Sequence, residues 1–127
     1  MRFARLVYLV AGIYGLLVVS LGYVGYLAGA DPALMAPTRP EYVHGFFLVC
    51  LPWQLLFILI SRDPARYTSI TPVTVLEKLP FAAVAMALFE RGQANQMMGI
   101  FGAIDGVLGV LFCLSYWMTR RRAAAGD

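Results

Sequence analysis

Glu77, Lys78, Gln54 and Asp105 are the side chains of this sequence best suited to chemistry, because each stands inside a stretch that is otherwise apolar. A carboxyl or carboxamide held away from water must hydrogen-bond, pair with a cation or hold a proton. Such a group can bind a ligand or relay a proton, and it can equally clamp two helices together. Pro80 singles out Glu77 further: proline has no N–H, so the carbonyl of Leu76 loses its helical partner beside the acid. Pro52 does the same to Leu48, next to Trp53 and Gln54. Counted from the apolar edges, Gln54 and Glu77 come to a similar depth, roughly 8–9 Å, which predicts a Gln54–Glu77 hydrogen bond with Trp53 alongside. Lys78 is expected to carry its ammonium out to the headgroups. Asp105 falls in mid-segment beside glycines and is expected to face the interior, against Tyr14 or Ser20 or a water.

A second polar set, Glu41 and His44, is spaced i, i+3 and so shares one helical face. A metal there would need further ligands, and the acids within reach are Asp31 and Glu90, so an interfacial salt bridge is the expectation and no metal is assigned. Cys50 and Cys113 lack CxxC spacing and read as small buried hydrophobes. No nucleotide loop, Ser/His/Asp arrangement or zinc signature is found, so no cofactor is assigned and a non-enzyme is favoured.

These side chains ride on four apolar segments, about 6–27, 42–60, 72–89 and 96–118, in a chain of 127 residues that is 61% hydrophobic and 13% charged. Such a balance is too apolar for a soluble domain. Each segment is long enough to cross or nearly cross a hydrocarbon core of about 30 Å. If the third segment began only after Pro80 it would be far too short, so Glu77 and Lys78 must lie within the membrane. The fold expected is all-α: one integral membrane domain over 1–127, a four-helix bundle running up-down-up-down, because the connections are short. MRFAR and Ala28-Gly29-Ala30 resemble the ends of a signal peptide, but the 22-residue run from Leu6 to Leu27 exceeds an h-region of roughly 7–15 residues, and it is read as a retained helix. Thr71 and Pro72 are expected to cap and start the third helix.

The net charge of +3 does not point to nucleic acid, because the basic residues follow topology. Arg2, Arg5, Arg62, Arg66, Arg120, Arg121 and Arg122 flank one side, against Arg39 and Arg91 on the other. By the positive-inside rule both termini are cytoplasmic, which suits a multi-pass protein of a bacterial inner membrane whose basic tail touches anionic lipid. Gly99, Gly102, Gly106 and Gly109 line one side of the fourth segment, a close-packing face for helix 1 or for a second copy of the chain. Tyr and Trp residues near the segment ends, among them Tyr116 and Trp117, read as aromatic belts.

In organisation, with kinked second and third helices and acids near helix ends, the chain resembles the small bacterial membrane proteins grouped as DoxX-like. Its size is similar to that of the small multidrug resistance transporters, but those carry a glutamate in mid helix 1 and this chain has no acid there. Similarity to emopamil-binding-type proteins in buried acids and aromatics implies a sterol-like or quinone-like ligand. Three functions follow: a non-enzymatic bundle packing with itself or with another membrane protein; a binder of, or enzyme on, a small lipophile using Glu77, Gln54, Trp53 and Asp105; and a proton-linked transporter.

Overall fold

Four long helices make up most of the computed structural model, which describes residues 1–30 and 40–126; among the described residues there is no strand. Helix α1 spans Arg2–Leu27, α2 Pro40–Arg62, α3 Thr71–Glu90 and α4 Gln96–Ala125, with a 3-10 turn at Thr68–Ile70 leading into α3. Each helix, counting α3 from Thr68, is long and apolar enough to cross a membrane. The first connection, with Asp31 and Arg39, lies outside the described residues, as does Asp127.

The helices outrun the apolar segments at the chain ends. Helix α4 continues seven residues past Met118 because the arginines and the alanine run 123–125 are strong helix formers. It stops at Gly126, whose φ of 78° lets its N–H turn back to the carbonyl of Arg122. Asn95 starts the same helix by accepting the N–H of Met98 at 2.9 Å. Helix α3 begins differently from expectation. Thr71 is its first residue, not its cap, and the carbonyl of Thr71 accepts the Thr74 hydroxyl at 2.7 Å. Pro52 and Pro80 both sit inside continuous helices.

Contacts divide the chain into two compact units, Tyr8–Arg62 and Met1–Val7 together with Asp63–Asp127. In the first, α1 and α2 run antiparallel: a Cβ at Gly12 would meet Ile58 Cγ1 at 2.6 Å, one at Gly15 would overlap the Gln54 carboxamide, and one at Gly22 would meet Phe47 at 3.1 Å. In the second, α3 and α4 run antiparallel on the glycine face. Gly99 lies on Phe89, Gly102 on Ala85, Gly106 on Ala82 and Gly109 on Leu79, so each step up α4 is matched by a step back along α3. The partner of that face is thus α3 of the same chain, which neither expected alternative named.

Polarity is inverted relative to a soluble protein. Leu21 is 70% exposed and Leu76 68%, whereas Thr74, Ser115 and Gln54 are at most 2% exposed and Lys78 is 5%. Apolar exposed faces with polar side chains buried inside each unit suit a lipid solvent, where backbone approach and interior hydrogen bonds hold helices together.

Candidate functional site

The charges set within the apolar helices, Glu77, Lys78 and Asp105, converge within the α3–α4 unit. Thr71, Thr74, Lys78, Ala82 and Ala85 recur at intervals of three and four and form the buried stripe of α3. Lys78 therefore points inward, while Glu77, one residue and about 100° away, stands at the edge of the interface. Opposite Lys78 is Gly109, whose missing side chain leaves the lysine stem room: a Cβ there would stand 3.4 Å from Lys78 Cβ. One turn before Gly109 is Asp105, and its Oδ1 lies 3.2 Å from Lys78 Nζ.

The lysine thus bridges two carboxylates. Nζ lies 3.2 Å from Glu77 Oε2 and donates to Glu77 Oε1 at 3.5 Å. Oε2 is near enough for charge attraction but out of hydrogen-bonding line, and no donor among the described residues reaches it. The lysine side chain is 6% exposed and both acids 15%, so the cluster is largely removed from solvent and each partner must compensate the others. With all three ionised, it carries one excess negative charge. The expectation that Lys78 snorkels is corrected here: an inward helical phase and two acids within reach hold its ammonium inside.

Hydroxyls extend the polar seam toward the chain-terminal end of the unit. Thr74 and Ser115 donate to the carbonyls of Thr71 and Leu111, at 2.7 and 2.8 Å, and Thr71 and Thr119 are buried as well. Sequence reasoning took Thr71 only for a cap and passed over the other three, although the spacing within each helix, 71–74 and 115–119, marked shared faces.

Gln54 belongs to the other unit. Its carboxamide fills the space over Gly15, donates from Nε2 to the Cys50 carbonyl at 3.0 Å, and leaves Oε1 buried with no hydrogen-bond donor among the described residues. Gln54 and Glu77, expected as a pair, each find a partner within their own unit. Trp53 tilts against Phe57 at 6.4 Å and, with Pro52 and Leu56, lines a shallow cavity of about 140 Å³. His44, expected beside Glu41, shares a 2.9 Å hydrogen bond with the Tyr23 hydroxyl through Nδ1 and is flanked edge-on by Tyr26. Among the described residues no three His, Cys, Asp or Glu side chains group as metal ligands. An apolar groove of about 620 Å³ runs along α3 and α4 beside the triad, lined by Leu79, Ala82, Met86, Gly102, Val107 and Val110 among others, but not by Glu77, Lys78 or Asp105.

Compared with protein-family models, curated proteins and solved structures, the chain matches none.

Proposed function

We propose that this chain is a small multi-pass protein of a bacterial inner membrane, a non-enzymatic up-down-up-down bundle on the DoxX-like plan that packs with itself or with another membrane protein. Both termini are cytoplasmic. The observation that carries this reading is the closure of the charged cluster: Lys78 holds Glu77 and Asp105 and ties α3 to α4, and none of the three lines the neighbouring groove. Charges engaged with one another in this way serve as a helix clamp. The test is replacement of the whole cluster by the isosteric neutral set Glu77→Gln, Lys78→Met and Asp105→Asn. If the charges are structural, the triple variant keeps its oligomeric state in detergent and complements a deletion strain as the wild type does. Intact folding with lost complementation would sink the clamp and leave the proton-linked transporter, in which one proton balances the excess negative charge.

A second reading, a binder of a small lipophile, is favoured by the groove. Its volume of about 620 Å³ falls within the roughly 300–1,000 Å³ typical of small-molecule sites. Its lining is almost wholly aliphatic, so it would grip an apolar chain or ring without orienting polar groups.

A further inference from the structure

We infer that the α3–α4 unit binds an anionic phospholipid, with an acyl chain along the groove and its phosphate on Arg121 and Arg120; this rests on the reading of the groove as a lipophile site. Val107, Val110, Leu114, Trp117 and Arg121 recur at steps of three and four and so share one side of α4. The first four are 60%, 54%, 44% and 52% exposed, and Val107 and Val110 also line the groove. An apolar track therefore leaves the groove and ends at a guanidinium. From Val107 to Arg121 is about 21 Å, against about 15 Å for one leaflet of hydrocarbon, which brings the arginine to headgroup level.

The charged end is built to hold a phosphate. Arg121 stacks on Trp117 with Cζ 3.6 Å from the ring, and Arg120 lies over Tyr116 at 5.6 Å and donates to its hydroxyl at 3.2 Å. Stacking fixes a guanidinium plane and leaves in-plane N–H groups for a bidentate oxyanion. The antiparallel register puts this end of α4 beside the start of α3, where Arg66 lies over Tyr67 at 5.7 Å. Met1–Val7, with Arg2 and Arg5, belongs to the same unit. Asp63, the acid of the adjoining connection, accepts the backbone N–H of Arg66 at 3.2 Å, and no carboxylate among the described residues pairs with Arg120, Arg121 or Arg122. Desolvation, then Arg122 and Arg5, push the Met1 ammonium below its ordinary value, which puts these two arginines within electrostatic reach of the N-terminus. A free phosphate would satisfy the arginines but not the track, and a docked helix would cover the track but not the arginines.

The test uses the full-length protein in nanodiscs and its native mass spectrum after gentle extraction. Phosphatidylglycerol should be retained in preference to phosphatidylcholine. The Arg120→Gln, Arg121→Gln pair should weaken retention by about 25-fold, from the contribution of each cation beside an anionic headgroup. Arg121→Lys, which keeps the charge and loses the planar stack, should fall between, and it decides the matter if the double variant misfolds. Val110→Trp should reduce retention by filling the track. Equal retention of the two lipids, or wild-type retention by Arg121→Lys and Val110→Trp together, overturns the proposal, as does full competition by soluble glycerol phosphate. If a quinone or sterol is retained and blocked by Val110→Trp while neither phospholipid is, the lipophile reading stands and this inference alone fails; if none is retained, both fail.

Discussion

Lys78 shows how one residue's helical phase decides the role of its neighbours. Glu77 and Lys78 are adjacent, and only one of them can occupy the inward stripe with Thr74 and Ala82. Sequence reasoning gave the inward place to the acid because a lysine near a helix end has an easy route to the headgroups. It could not weigh Asp105, which reaches the same spot from another helix and makes burial of the ammonium favourable. The presence of charge inside long apolar helices was legible; its pairing was not, because pairing depends on the register of two helices. Removing the lysine alone strands two carboxylates, so Lys78→Met should destabilise by about 3–5 kcal/mol. The triple neutral variant should lie within about 1 kcal/mol of the wild type, since replacing a whole buried ion cluster by matched neutral groups is often nearly neutral. Reversible unfolding in mixed micelles measures both, and equal losses in the two would refute the clamp.

At the scale of helices, the glycines sort by what faces them. A Cβ on Gly102 would stand 2.9 Å from the Ala85 methyl, and one on Gly109 would run into Leu79, whereas Gly45 has open space. Gly102→Leu is expected to cost about 1–3 kcal/mol or more through overpacking. Gly45→Ala should be neutral or gain up to about 1 kcal/mol from helix propensity. Thermal melts in detergent that ranked the two in the opposite order would remove the α3–α4 packing described above. The glycine spacing of α4 was readable as a packing face, and the Asn95 cap and the Gly92 turn after α3 agree with the short connection ERGQAN. The identity of the partner was not readable, because a smooth face fits any other smooth face, and the matching alanines of α3 carry no signal stronger than composition.

For the whole molecule, the proposed orientation rests on the distribution of arginine. With Arg120, Arg121 and Arg122 ending α4 and Arg2 and Arg5 opening α1, both termini should remain on the cytoplasmic side. A fluorescent protein fused after Asp127 should mature, and an alkaline phosphatase fused there should be inactive. The reverse pair of results would overturn the orientation. Changing Arg120, Arg121 and Arg122 to glutamine should weaken that bias and yield a mixed population, read from the same two fusions.

The unequal lengths of α3 and α4 carry one more consequence. Twenty residues give α3 about 30 Å, one hydrocarbon thickness, while thirty give α4 about 45 Å. Because the two are joined by a tight turn and packed along their glycine face, the surplus of α4 falls at its arginine end. In a bilayer with about 30 Å of hydrocarbon the short helix matches and the long one overshoots, so a thicker membrane is met by thinning around α3, by drawing charged residues inward or by association of copies. Each adjustment costs a fraction of a kcal/mol per ångström. The protein should accordingly gather in thinner regions of bilayer, and its melting temperature in a series of lecithins of rising chain length should peak where the hydrocarbon matches α3.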